Sequence, residues 1–79
     1  MPAPSMQYRT VSSSSIAEVG YDREGAILAI RFQNGAQYRY FAVPERVFQG
    51  FLVAPSAGRH FHEHVRNAGF RHEQLSKPM

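Results

Sequence analysis

The sequence feature that most constrains the fold is an Asn34-Gly35 dipeptide between two runs of alternating residues, 26–32 and 37–41. Apolar side chains that recur with a period of two are typical of a strand with one buried face. Asn and Gly both tolerate the positive φ of a type I′ turn, so the pattern predicts an antiparallel hairpin. The side chains expected to face the core are Leu28, Ile30, Phe32, Tyr38 and Tyr40.

Further elements flank this hairpin. Residues 16–21 predict another strand, followed by a turn in which Gly25 can adopt positive φ. Pro44 cannot donate to a sheet and suits the first turn of a helix, whose apolar stripe extends over residues 43–54. Ser56 is a predicted N-cap of a second helix. The fold class is therefore α+β: a small bent antiparallel sheet of three to four strands followed by two short C-terminal helices.

Length and composition indicate a single domain. With 79 residues and no cysteine, the chain is expected to be stabilised by one small core without disulfides. Residues 1–10 are expected to form a flexible lead, 11–70 the domain, and 71–79 a flexible tail. No apolar run approaches the roughly 20 residues of a membrane helix. We therefore expect a cytoplasmic protein without a membrane partner.

The basic residues suggest a nucleic-acid surface. The formal charge is +3, and eight of the nine basic residues are arginines, which suit phosphate recognition. Arg31, Arg39 and Phe41 share the strand face opposite the predicted core, where arginines could bind phosphates and a ring could stack on a base. Alternatively, the two arginines pair with Glu18 or Glu45. The full set of predicted nucleic-acid contacts is Tyr21, Arg31, Arg39, Phe41, Arg59 and Arg66.

Two weaker candidates lie at the second helix. Ser56, Gly58 and Arg59 open it, where free amides could attract an anion or the serine could be a plain cap. His60 and His64 share a helical face, but a zinc site needs further ligands. We therefore expect neither a metal nor a cofactor. No spacing brings a nucleophile to a base, so an enzyme is not expected.

A set of residues distributed along the chain also resembles the sequence pattern of a known family. They are Val11, Ser14, Ser15, Ile16, Gly20, Tyr21, Asp22, Leu28, Ile30, Phe32, Asn34, Gly35, Tyr38, Tyr40, Val43, Pro44, Val47, Phe48, Leu52, Ala54, Ser56, Gly58, Phe61, Val65 and Arg66. This set resembles the KTSC domain, a small bacterial domain also found at the C-terminus of some lysyl-tRNA synthetases. One departure is His62, where the family commonly has Asn. The resemblance implies a strongly bent, Sm-like or partly open barrel variant.

Two functions of different class follow. The resemblance and the basic sheet face favour an RNA- or tRNA-binding module. The rival is a protein-interaction or self-association module that forms a homo-oligomer through Phe41 and an exposed strand edge.

Overall fold

The fold is a five-stranded antiparallel meander packed on helices. The structure, a computed structural model, describes residues 6–78. The strands are β1 (Gln7–Thr10), β2 (Ile16–Asp22), β3 (Ile27–Phe32), β4 (Gln37–Tyr40) and β5 (His72–Ser76), and they lie in the order β1-β2-β3-β4-β5. The helices are α1 (Glu45–Val53), α2 (Ala57–Phe61) and a π-helix (His62–Arg66) that continues α2 directly. The α+β class is therefore confirmed.

The expected number of strands is corrected from three or four to five. The two additional strands are β1, which lies in the predicted lead, and β5, which lies in the predicted tail. Both are outermost strands with largely exposed residues, so they lack the apolar alternation that marks the inner strands. They join the sheet through backbone pairing, which a side-chain pattern does not reveal. Residues 1–5 and 79 of those two segments lie outside the described residues.

The two turns that join β2, β3 and β4 differ from their predicted geometry. Gly35 N donates to Phe32 O at 3.0 Å, and Phe32 N donates to Ala36 O at 2.9 Å, which closes a three-residue loop. Gly35 has a φ of 93°, whereas Asn34 is not left-handed and its Oδ1 accepts from Ala36 N. This is a longer loop with one left-handed glycine, and the predicted type I′ turn was wrong. In the preceding turn the positive φ belongs to Ala26 (54°) instead of Gly25.

The core lies between one sheet face and the helices. The predicted core-facing side of β3 and β4 is confirmed: Leu28 and Ile30 are fully buried, Tyr40 is buried, and Phe32 and Tyr38 pack against them. The helices contribute the following residues to the same cluster: Val47, Phe51, Ala57, Phe61 and Val65. One apolar cluster thus joins every inner strand to every helix.

Three local features position the helices: a close contact between α1 and α2, an N-cap at the start of α2, and a glycine after the π-helix. A Cβ at Gly50 of α1 would lie 2.3 Å from His60 Cε1, so glycine lets the His60 ring reach α1, where Nε2 lies 2.9 Å from Val47 O. Ser56 Oγ accepts from Arg59 N at 3.2 Å, which confirms the predicted N-cap. Gly69, with a φ of 75°, follows the helical segment as its stop. Within residues 6–78, no helix has both the length and the apolar character needed to cross a membrane.

Candidate functional site

Arg31 lies on the sheet face turned away from the helices, here called the outer face, and its side chain already has two partners. Arg31 Nη1 donates to Glu18 Oε1 at 3.0 Å, and its Cζ lies 3.9 Å from the centroid of the Tyr8 ring. The ring of Tyr8 can lie there because a Cβ at Gly20 would stand 2.9 Å from its Cδ1. The alternative in which Arg31 pairs with Glu18 is therefore confirmed. Its charge is balanced and its guanidinium is packed on a ring.

A more open group of side chains lies where β4 and β5 meet on the outer face. Arg39, Phe41 and Arg71 form this group, here called the outer cluster. Phe41 N donates to Arg71 O at 2.9 Å, and the Arg71 guanidinium carbon lies 4.9 Å from the Phe41 ring centroid. The nearest carboxylate oxygen to Arg39, from Glu73, is 4.0 Å from Nη1, which is the limit of an ion pair. Arg39 and Arg71 are exposed, so both can meet a ligand from solvent.

Tyr21 is not part of the outer face, and its predicted role in stacking on a base is corrected. It is 8% exposed, its hydroxyl donates to Val43 O, and its ring stacks on Phe48 with centroids 5.5 Å apart. Burial, followed by the negative charge of Glu45, raises the pKa of Tyr21. The residue faces the core because it pairs with Leu28 across β2 and β3.

The predicted anion site at the start of α2 has a structural explanation. The Ser56 hydroxyl already accepts the Arg59 amide as a cap, and Arg59 Nε lies 3.8 Å from Glu63 Oε2 one turn later. A Cβ at Gly58 would lie 3.2 Å from Ser15 Oγ, so the glycine brings α2 close to the segment before β2. The Ser56 hydroxyl and the Arg59 guanidinium therefore already have partners within the chain.

The histidine pair, His60 and His64, contacts α1 through His60. The His60 and His64 rings are close, with centroids 4.5 Å apart, but His60 Nε2 lies at hydrogen-bonding distance from Val47 O. The edge of the His60 ring also packs against Phe51, with centroids 4.5 Å apart. Between residues 6 and 78 no group of three or more potential ligands among His, Cys, Asp and Glu is brought together. The pair therefore packs α2 and the π-helix against α1.

A concave surface with several polar groups lies on the opposite side of β4 and β5, against the helices. It is here called the aromatic groove and has a volume of 460 Å³. Its lining is Ser15, Phe32, Tyr38, Tyr40, Gly58, Phe61, His62, Val65, Arg66, Gly69, Phe70 and His72. Five of these are Phe or Tyr, three are Arg or His, and none is Asp or Glu. Sequence reasoning selected only Arg66 from this lining as a basic contact.

The rings of the groove are stacked and tilted against one another. His72 on β5 lies beside both tyrosines of β4, with centroids 5.2 Å from Tyr40 and 6.0 Å from Tyr38. Phe61 of α2 meets Tyr40 from the helical side at 5.8 Å. Ring pairs in this distance range attract one another through edge-to-face and offset contacts. The groove wall is therefore a preformed aromatic surface.

Electrostatics in the groove favour an anion. Burial, together with the neighbouring Tyr38, raises the pKa of Tyr40 to about 12, and the positive charge of Arg66 acts in the opposite direction. The Tyr40 hydroxyl therefore keeps its proton at neutral pH and can donate a hydrogen bond. Because the lining contains no carboxylate, the positive charge of Arg66 is not balanced inside the groove.

Comparison with known proteins gives the family. A model of the KTSC domain matches residues 12–70. The chain belongs to the KTSC domain family. The crystal structure of a KTSC domain protein from Yersinia pestis superposes with a TM-score of 0.78 and is 40% identical, covering 91% of this chain and 100% of that one. The α+β fold class and the family resemblance drawn from the sequence are confirmed together.

Other KTSC relatives are free-standing or part of longer proteins. An uncharacterised protein of Stutzerimonas stutzeri is 43% identical over 70 residues, covering 89% of this chain and 99% of the relative. A lysine–tRNA ligase of Trichormus variabilis is 38% identical over 63 residues, which cover 80% of this chain but 11% of the ligase.

Proposed function

We propose that this KTSC domain binds single-stranded RNA through the outer cluster. The observation that carries the proposal is the adjacency of Arg39, Phe41 and Arg71 at the open end of the outer face. Proteins that bind single strands combine cations for the phosphates with rings on which bases stack. Arg39 and Arg71 supply the first component, and Phe41 supplies the second.

Two further observations support RNA binding. The matching segments in lysine–tRNA ligases from Trichormus variabilis and a Nostoc species belong to proteins whose reaction partner is tRNA. The chain itself carries a formal charge of +3. A small cationic domain attached to such an enzyme would raise its affinity for RNA without adding chemistry.

The outer cluster sets the expected strength of this binding. Each phosphate contact on a single strand contributes a slope of about −0.7 to the logarithm of the affinity against the logarithm of the salt concentration. Two arginines therefore account for a slope of about −1.4. Stacking of one base on Phe41 is worth about 1–3 kcal/mol, or roughly a factor of 5 to 150 in affinity.

The test uses fluorescence anisotropy of a labelled RNA oligonucleotide at several salt concentrations, with unlabelled tRNA as competitor. The R39Q/R71Q variant is compared with R23Q/R46Q, which removes the same charge from exposed positions outside the outer cluster. The proposal expects R39Q/R71Q alone to weaken binding and to lose about 1.4 of the salt slope. Equal weakening by both variants, or no binding by the unmodified protein at low salt, would refute it.

A second candidate function is self-association through a strand edge. In the part of the chain between residues 6 and 78, β1 and β5 each have one long side without a neighbouring strand, and Leu75 on β5 is 43% exposed. Such edges can pair with a second copy. Light scattering over a range of concentrations distinguishes the candidates: a dimer that Leu75→Lys dissociates favours self-association, and a monomer at all concentrations excludes it.

A further inference from the structure

We propose that the aromatic groove binds one nucleotide, with the base against the rings and the phosphate on Arg66. The ligand can be a free nucleotide or one unstacked nucleotide of an RNA strand, since the recognition chemistry is the same. The inference goes beyond RNA binding by the outer cluster, because none of the residues of that cluster lines the groove. The groove can therefore bind its ligand whether or not the outer cluster binds RNA.

The dimensions of the groove suit a small aromatic ligand. Its 460 Å³ lies within the range of about 300–1,000 Å³ found for small-molecule sites, which are mostly apolar with a few placed polar groups. Here the apolar part is the ring set, and the polar groups converge from three elements: Arg66 and His62 from the π-helix, His72 from β5 and Ser15 before β2. A lone inorganic anion would leave the ring surface unused.

The rings provide a stacking surface for a flat base. Tyr38 is half-buried, so part of its ring meets solvent in the groove, and His72 beside it is exposed. Phe70 flanks the same opening and is also only partly buried. Base-on-ring stacking tolerates any base, because every base has a π-face. The groove should therefore discriminate weakly among the four bases.

The charges select an anionic ligand. Arg66 is exposed, and its positive charge opposes the rise in the pKa of Tyr40, so the guanidinium lies near the phenol that lines the groove. A guanidinium can donate two parallel hydrogen bonds to a phosphate. With the Tyr40 hydroxyl protonated, no side chain in the described groove lining carries a negative charge. An aromatic ring and a phosphate on one small molecule describe a nucleotide.

The first experiment titrates the intact protein with AMP, adenosine and inorganic phosphate, followed by NMR of the backbone amides. The inference expects AMP to shift signals of groove residues, and expects adenosine and phosphate each to bind at least fivefold more weakly than AMP. Phosphate that binds as well as AMP, or AMP shifts confined to residues outside the groove, would overturn it.

Variants locate the ligand. R66Q should weaken AMP binding at least fivefold, and H72A should weaken binding of AMP and adenosine alike because it removes an exposed ring. The matched control is R59Q, which removes the same charge from an exposed position of α2 outside the groove. R66Q and R59Q proteins that bind AMP with equal affinity would contradict the placement of the phosphate.

A labelled RNA oligonucleotide separates this inference from the proposed function. If R66Q weakens binding of both AMP and the oligonucleotide, the groove holds one nucleotide of the strand. If R66Q weakens AMP alone, the groove holds a free nucleotide. If AMP does not bind, and if R39Q/R71Q weakens binding of the oligonucleotide whereas R66Q does not, the groove inference is wrong while the outer cluster still binds RNA.

Discussion

Replacing Gly50 by alanine tests how α1 and α2 are packed. The new Cβ would lie 2.3 Å from Cε1 and 2.7 Å from Nε2 of His60, distances at which the imidazole must move. Moving it breaks the contact between Nε2 and Val47 O, now 2.9 Å, and separates the ring from Phe51. Alanine would otherwise favour α1, because glycine is the weaker helix former.

The magnitudes of these opposing effects decide whether Gly50→Ala raises or lowers the free energy of unfolding. The hydrogen bond of His60 is worth about 1 kcal/mol, and its edge contact with Phe51 about 0.5–1.5 kcal/mol. Together they exceed the roughly 1 kcal/mol that alanine adds to the helix. We expect Gly50→Ala to lower the free energy of unfolding by about 1 kcal/mol, which corresponds to about 4–8 °C in Tm for a domain of this size.

The assay is thermal unfolding followed by circular dichroism, with a control in which the His60 ring is removed. In a His60→Ala background the same Gly50→Ala change should raise stability by up to about 1 kcal/mol, since only the helix propensity remains. The sign of the effect therefore depends on His60, and the double-mutant cycle should give a coupling of about 2 kcal/mol. Stabilisation by Gly50→Ala with His60 in place would refute the packing argument.

Three further predictions concern single contacts. Tyr21→Phe leaves the buried Val43 carbonyl without its hydroxyl donor, so urea unfolding should show a loss of about 1–3 kcal/mol; an unchanged midpoint would contradict this. Ser56→Ala removes the cap of α2 and should cost about 1 kcal/mol in the same assay, whereas Ser56→Asp should retain most of it. The pKa of Tyr40 is raised to about 12 from 10.0, so its neutral form stabilises the fold fully below pH 10, and this contribution is lost as the pH rises through 12. Tyr40→Phe should therefore lose less stability than the unmodified protein over that interval.

The inner part of the fold was predictable because its side chains alternate between two environments. The residues Leu28, Ile30 and Tyr40 of β3 and β4 all lie on one face of the sheet, so that face had to be the buried one. The apolar stripe of α1 likewise lies on one side of the helix, which therefore packs against the core. The local start of α2 was also predictable, since the Ser56 cap depends on residues three positions apart. All of these features depend on residues that are close together in the sequence.

The remaining features depend on contacts that sequence order does not contain. Tyr21 lies three residues from a β-bulge in β2, between Ile16 and Glu18, and a bulge changes which side chains face the core, so the burial of Tyr21 does not follow from alternation. The outer strands were missed because exposed residues leave no periodic signal. Arg71 and His72 were then overlooked with β5, and without them neither the outer cluster nor the aromatic groove could be assembled.

The π-helix affects how positions in this chain correspond to those of its relatives. Asn67 N donates to His62 O at 3.1 Å, five residues earlier, so this turn holds one residue more than an α-helical turn. One residue added to a regular α-helix would rotate all later residues by about 100°, whereas a wider turn absorbs the extra residue and leaves the flanking residues near their α-helical directions. Relatives with one position fewer in this turn would therefore keep the chain before and after it in place, and their later positions correspond to this chain with an offset of one.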